Sequence, residues 1–129
     1  MRNTAIVSLL LVVLFSSCSN TAKLVNPDPI SLQGHGKEAR TIILEAMRGE
    51  SWALSGEEPG KIHAIRVIRG RHEMQVLLSY DEDNVSIEYE DSKNLKYKKG
   101  WFGTETIHKN YNGWVAELRW AILQQRSYH

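Results

Sequence analysis

Three histidines are the side chains that could bind a metal ion or act as a general base: His63, His72 and His108. Ligands of compact metal sites usually lie a few residues apart, and the spacing of these three fits no such motif. We therefore expect no metal ion and no other cofactor. His108 lies in the segment IHKNYNGW, where it could act as a base beside Asn110 and Asn112. The structural alternative is favoured, because asparagine often caps the N-terminus of a helix.

Arginine and tryptophan supply a second set of candidates. Arg69, Arg71 and His72 are concentrated in the segment RVIRGRHE, and guanidinium groups bind phosphate or carboxylate in a bidentate manner. A charged hairpin exposed to solvent is the commoner role of such a segment. Aromatic residues and arginine are favoured at binding hot spots. The candidate interaction residues are Arg69, Arg71, His72, Trp101, His108 and Trp120.

A third possibility is a ligand-binding or hydrolytic pocket lined by Tyr80, Tyr89, Ser92, Asn94 and His108. Ser92 has acidic neighbours and a histidine downstream, so the residue order does not exclude a Ser–His–Asp site. The sequence contains neither the G-x-S-x-G turn that exposes a nucleophilic serine nor a glycine-rich loop that binds phosphate. We therefore expect a protein that is not an enzyme, with this pocket as the alternative.

The acidic segment DEDN, Asp81 to Asn84, could begin a calcium-binding loop. An EF-hand loop has glycine at its sixth position and glutamate at its twelfth. Counted from Asp81, these positions hold Ser86 and Ser92. An acidic hairpin turn is therefore the better interpretation.

The charge balance excludes one class of partner. The chain has 129 residues, with 16 Lys and Arg against 15 Asp and Glu. Nucleic-acid-binding proteins carry a strong basic excess, so we expect no nucleic acid partner. The same balance argues against a polybasic membrane-binding segment. The length suits a single domain.

The N-terminus has the features of an export signal. Arg2 is followed by an apolar run from Thr4 to Phe15, which is shorter than the about 20 residues that a membrane-spanning helix needs. Small residues and Cys18 come next, and this pattern resembles the bacterial lipoprotein signal, in which a lipobox ends in the acylated cysteine. Phe15 stands where leucine is usual. Cys18 is the only cysteine, so no intramolecular disulfide can form.

This resemblance implies that residues 1–17 form a signal peptide and that Cys18 is the lipidation site. An ordinary cleaved signal with an incidental cysteine is the alternative. Two or more acyl chains give stable membrane anchoring. In a bacterium with an outer membrane, Ser19 after the cysteine implies sorting to that membrane, with the folded part facing the periplasm.

The rest of the chain divides into a tether and a domain. Residues 18–36 are polar and contain Pro27 and Pro29, so we expect a flexible tether. Residues 37–129 are expected to form one domain. Apolar residues at helical spacing predict a helix over residues 37–48 and a second helix that begins near Tyr111.

Alternating apolar and polar residues predict strands over residues 62–69, 74–80 and 85–89, with a short one at Trp52 and Leu54. Gly70 and Arg71 suit a tight hairpin turn with glycine first, and residues 91–109 are expected to be irregular. The expected fold class is α+β: an antiparallel meander of three to four strands, with an N-terminal and a C-terminal helix packed on one face.

Many of these residues together resemble a pattern in small bacterial lipoproteins of uncharacterised function. The resemblance covers residues 37–122 and implies a lipid anchor and a compact α+β domain, but no activity. The matching residues are Trp52, Pro59, Gly60, Ile62, Ala64, Arg71, His72, Tyr80, Ile87, Tyr89, Ser92, Asn94, Leu95, Tyr97, Ile107, His108, Asn110, Tyr111, Asn112 and Trp114.

The sequence as a whole predicts a lipid-anchored envelope protein that is not an enzyme and that contacts another envelope protein or a peptide. A membrane anchor raises the local concentration of the domain, so a small contact surface suffices. The candidate contact surfaces are the hairpin at residues 69–72, the loop at residues 96–102 and Trp120.

Overall fold

A computed structural model describes residues 20–34 and 38–128. The signal peptide and the lipidation site predicted at residues 1–18 lie outside the described residues. The elements in chain order are β1 (Thr21–Lys23), β2 (Ile30–Ser31), α1 (Ala39–Gly49), β3 (Ala53–Glu58), β4 (Lys61–Ile68), β5 (His72–Tyr80), β6 (Asn84–Lys93), β7 (Lys98–Lys99), β8 (Glu105–His108) and α2 (Tyr111–Arg126).

The strands form two antiparallel sheets. The larger one has five strands in the order β2-β6-β5-β4-β3, and the smaller one has three in the order β1-β8-β7. The expected α+β class with antiparallel strands is confirmed, and β3 to β6 form the expected meander. The count of three to four strands was too low, because β2 adds to the edge of the meander. Residues 91–109, for which an irregular loop was expected, contain β7 and β8.

One hydrophobic core holds the sheet and the helices together. Residues that alternate along β4, β5 and β6 are buried, as period-2 side-chain placement requires. Both helices bury residues at spacings of three and four. The core residues from these elements include Ile42, Ile43, Met47, Ile62, Met74, Val76, Leu78, Val85, Ile87, Val115, Leu118 and Ile122.

The segment predicted as a flexible tether differs most from expectation in its described part. Leu24, Ile30 and Leu32 are buried in the core. Strands β1 and β2 join this segment to both sheets. The three buried side chains remove apolar surface from water, and this stabilises the packed arrangement over an extended one.

The turn between β4 and β5 also differs from expectation. Its central residues are Arg69 and Gly70, with φ values of 56° and 64°, so glycine is second rather than first. The N–H of Arg71 donates to the carbonyl of Ile68 at 3.1 Å. Two successive positive φ values make a type I′ turn, whose twist matches that of paired strands.

No helix within residues 20–34 and 38–128 has both the length and the apolar character needed to span a membrane.

Candidate functional site

Two of the three histidines meet beside a tryptophan at one end of the molecule. The ring centroids of His72 and His108 lie 5.5 Å apart. Trp114 stacks on His108 with an interplanar angle of 11° and a centroid distance of 5.8 Å. His72 is the first residue of β5, His108 is the last of β8, and Trp114 lies in the first turn of α2. The cluster therefore forms where β5 meets β8 and α2, two consecutive elements much later in the chain.

Backbone groups fix the proton positions on both imidazoles. Nδ1 of His72 lies 2.8 Å from the carbonyl oxygen of Asn94, which can only accept, so this nitrogen carries a proton. Nδ1 of His108 accepts the backbone N–H of Asn110 at 3.1 Å, so in His108 this nitrogen is unprotonated. The neutral His108 ring therefore carries its proton on Nε2 and presents an N–H donor there.

The surroundings of His108 disfavour its charged form. Burial lowers its pKa below the ordinary value, and the positive charges of His72, Lys96 and Lys109 lower it further. An imidazole with such neighbours resists protonation unless a negative charge comes close. The local field therefore favours an anion.

These side chains line a cleft of about 180 Å³, bounded by Ile68, Arg69, His72, His108, Asn110 and Trp114. The volume suits a small charged group rather than a drug-sized molecule, for which pockets of about 300–1,000 Å³ are usual. The donors on its walls are a guanidinium group, an imidazole N–H and an amide. We name this site the histidine cleft.

Asn94 and Arg71 lie at the edge of the histidine cleft. The side chain of Asn94 donates to the carbonyl of Arg71 at 3.0 Å and so ties the β4–β5 turn to the end of β6. Arg71, Lys96 and Lys109 are exposed. Three of the predicted interaction residues, Arg69, His72 and His108, therefore lie together, with Arg71 beside them.

Trp101 lies elsewhere, at the tip of the β7–β8 hairpin. Trp101 exposes 90% of its surface, and the adjacent Phe102 is fully exposed. The hairpin closes through the N–H of Gly100, which donates to the carbonyl of Thr104 at 2.7 Å. We name Trp101 and Phe102, with the exposed Lys98 and Lys99, the aromatic tip.

Trp120 forms a third, separate surface. It is 62% exposed on α2 and borders a shallow depression with Leu123, Gln124 and Arg126. The predicted interaction residues thus divide among three surfaces rather than forming one.

Tyr80 does not join the other members of the alternative pocket predicted from Tyr80, Tyr89, Ser92, Asn94 and His108. Tyr80 and His72 occupy opposite ends of β5, about 26 Å apart at the usual rise per residue. Tyr80 instead lines a different cavity with Pro29 and Asn84. The hydroxyl of Tyr89 lies 2.8 Å from Oγ of Ser92, and the Tyr89 ring stacks on Tyr97. Tyr89, Tyr97 and Ser92 therefore form a packed cluster of side chains.

His63 does not join the other two histidines. Its Nε2 lies 2.8 Å from Glu58, and its Nδ1 lies 2.7 Å from Glu90. These carboxylates raise the pKa of His63 above its ordinary value, with Glu58 the larger cause. Within the described ranges, no group of three or more His, Cys, Asp or Glu side chains could hold a metal ion.

The acidic segment at Asp81 forms the turn that was expected. Oδ1 of Asp81 accepts the backbone N–H groups of Asp83 at 2.7 Å and Asn84 at 2.8 Å. These two bonds lower the pKa of Asp81. The Asp81 carboxylate therefore stabilises the β5–β6 turn by accepting hydrogen bonds from its backbone.

Sequence reasoning missed Trp114 and the role of Asn112. Trp114 was not among the candidate site residues, yet its half-buried ring at the start of α2 packs against the core and borders the cleft. Asn112 was expected to cap α2. Instead its Nδ2 donates to the carbonyl of Lys23 at 2.8 Å, and its Oδ1 accepts the N–H of Val25 at 3.1 Å. Asn110 makes no side-chain cap either.

Comparison of the chain with protein-family models, with curated proteins and with solved structures finds no match.

Proposed function

We propose that this protein is a lipid-anchored bacterial envelope protein that is not an enzyme and that binds another envelope protein or peptide. The lipid is attached to Cys18 and holds the domain to the periplasmic side of the outer membrane. The lipobox-type sequence that ends at Cys18 and the isolation of that cysteine support the anchor.

The observation that carries the binding role is the exposure of the aromatic tip. Among the described residues, Trp101 and Phe102 are the two most exposed large apolar side chains, and they are adjacent in the chain. Large exposed aromatic side chains lose water favourably when a partner covers them, and they are common hot spots. Lys98 and Lys99 lie beside them, so the complementary surface is apolar with acidic residues around it.

The position of the aromatic tip supports a partner in the periplasm. Strand β1 pairs with β8 so that Thr21 lies opposite His108 and Lys23 lies opposite Thr106. The chain therefore enters the small sheet at the His108 end, while the tip precedes Glu105 at the other end. The four residue-to-residue steps from Thr104 to His108 place the tip about 13 Å further from the anchor at the usual rise of a strand.

The hydrogen bonds of Ser92 and His108 support a role other than catalysis. Oγ of Ser92 is engaged by the hydroxyl of Tyr89, and Nδ1 of His108 is engaged by the backbone of Asn110. A nucleophile and its base must lie within hydrogen-bond reach of each other. Here each has a different structural partner.

Photocrosslinking in the native host tests the proposed binding role. Benzoylphenylalanine in place of Phe102 is expected to give one discrete crosslinked protein, and the same residue in place of Tyr128, which is 82% exposed at the end of α2, is not. Charge reversal by Lys98→Glu with Lys99→Glu should reduce the crosslink. Equal crosslinking from both positions, or none from Phe102, would contradict the proposed contact surface.

A further inference from the structure

The described chain begins against the histidine cleft rather than at the end of a long tether. The backbone N–H of Lys109 donates to the carbonyl of Asn20 at 2.8 Å. Thr21 is the register partner of His108. The chain therefore leaves the small sheet at the edge where β8 turns towards α2, which is the edge that carries His108 and Asn110.

The length of chain between this edge and the anchor is very short. Only Ser19 separates Asn20 from Cys18. Two residues span at most about 7 Å between Cα atoms. The headgroup region of each leaflet is about 5–8 Å thick. A lipid on Cys18 therefore brings His108, Lys109 and Asn110 to the depth of the phospholipid headgroups.

The side chains at this edge match the chemistry of a phosphate. Arg69, Asn110 and the Nε2–H of His108 are donors around a cleft of about 180 Å³. The neighbouring acidic side chain, Glu73, is paired with Lys93 at 3.5 Å. Arg69 in the lining, with Lys96 and Lys109 close enough to act on His108, makes a locally positive site, although the chain as a whole is almost neutral.

Trp114 adds a second feature that favours a membrane surface. Its ring is half-buried at the cleft, with His108 stacked on one face. Tryptophan is enriched at the level of lipid headgroups, because its ring is amphipathic. A soluble protein partner would have to enter the gap of a few ångströms between the anchored edge and the bilayer, whereas a headgroup is already present there.

We infer that the histidine cleft binds the phosphate of a phospholipid headgroup in the membrane to which Cys18 is anchored. This inference rests on the proposed lipid anchor. Binding orients the domain with the histidine cleft towards the bilayer and the aromatic tip away from it. The domain then presents one fixed end to its partner instead of rotating freely on its lipid.

Histidine titration in defined bilayers tests the inference. Mature acylated protein from the native host, with ¹³C-labelled histidine, is placed in three kinds of nanodisc: bilayers that contain phosphatidylglycerol, phosphate-free digalactosyldiacylglycerol bilayers, and the latter with added inorganic phosphate. A phosphate beside His108 should raise its pKa by about one unit, a tenfold change in proton affinity, in the first bilayer only. His63, which is held by Glu58 and Glu90, serves as an internal reference for a general surface potential.

A pair of variants separates the cleft from general charge effects. Arg69→Asn should remove at least half of the rise in the pKa of His108. Arg48→Asn should leave that rise unchanged, because Arg48 is exposed near the end of α1. Asparagine tolerates the positive φ of Arg69, so this variant is expected to fold.

The outcomes distinguish this inference from the proposed anchor. Protein without lipid on Cys18 would overturn both. Acylated protein whose His108 titrates identically in all three samples would overturn the headgroup site alone. If the pKa of His108 rises equally when inorganic phosphate is added to the digalactosyldiacylglycerol bilayer, the cleft is a site for free phosphate instead. If the pKa of His63 rises as much as that of His108, the shift comes from a general surface potential. Either result would also overturn the headgroup site.

Discussion

The carbonyl oxygen of Asn20 accepts the backbone N–H of Lys109 at 2.8 Å, and this bond fastens the start of the described chain beside the histidine cleft. The same edge carries His108, the last residue of β8. The proposed lipid anchor on Cys18, two residues before Asn20, would therefore bring this end of the domain to the membrane. The aromatic tip occupies the opposite end of the small sheet.

The side chain of Asn112 should be essential for keeping β1 in place. Asn112→Ala removes the bonds to Lys23 and Val25, which leaves backbone groups of the N-terminal segment unpaired. We expect the free energy of unfolding to fall by about 1–3 kcal/mol. Urea denaturation measures this change, and hydrogen exchange should quicken at residues 21–25. Asn110→Ala, which removes no cap, is the matched control. Equal losses for the two variants would contradict this role.

The turn residue Arg69 should be replaceable with a gain in stability. Arg69 has a φ of 56°, which asparagine adopts more readily, and Asn-Gly is the preferred pair for a type I′ turn. Arg69→Asn should therefore raise the free energy of unfolding by about 0.5–1 kcal/mol. Arg71→Asn removes the same charge outside the positive-φ pair and should give no gain. A lower melting temperature for Arg69→Asn would contradict the turn assignment.

His63 should make stability depend on pH on the alkaline side. Glu58 and then Glu90 raise its pKa in the folded state above the ordinary value of 6.5. Its contribution is therefore complete below about pH 6.5 and is lost as pH rises through the folded-state pKa. His63→Gln should lower the melting temperature more in acid than in alkali. A deficit that stays constant between about pH 5.5 and about pH 9 would contradict the paired arrangement.

His108 should act with the opposite sign. Burial, and then the charges of His72, Lys96 and Lys109, lower its pKa below 6.5 in the folded state. Its neutral form stabilises the fold above about pH 6.5, and this contribution is lost as pH falls through the folded-state pKa. His108→Gln should reduce the loss of melting temperature on acidification. A steeper loss in the variant would show that the charged form is favoured instead.

The aromatic tip should contribute little to folding. Trp101 and Phe102 are exposed, so Trp101→Ala with Phe102→Ala should change the free energy of unfolding by no more than about 0.5 kcal/mol for each residue. Leu118→Ala, in the core, should cost about 2–5 kcal/mol by comparison. Differential scanning calorimetry measures both. A large loss in the tip variant would mean that these rings pack within the fold rather than serve a partner.

The sequence revealed those elements whose pattern is set locally. The alternation along β6 and the apolar stripe of α2 follow from burial on one face, so periodicity found both. Strands β1, β2 and β7 have only two or three residues, too few for a period to show. Their pairing depends on partners far away along the chain. The prolines around Ile30 suggested a tether, although Leu24, Ile30 and Leu32 supply core residues.

The histidine cleft was visible only as separate candidates. Arg69, His72 and His108 were each singled out by residue type, but nothing in their spacing shows that β5 begins beside the end of β8. Their convergence depends on Asn94, which contacts His72 and Arg71, and on the neighbouring Leu95, whose carbonyl accepts the N–H of His108. The separation of Tyr80 from His108 likewise depends on the length of β5.

Mass spectrometry of the mature protein from its native host tests the central claim, the lipid anchor, most directly. We predict that residues 1–17 are absent and that Cys18 is the N-terminal residue, with a diacylglycerol thioether on its sulfur. A free thiol at Cys18, or a mature chain that still carries residues 1–17, would contradict the anchored arrangement.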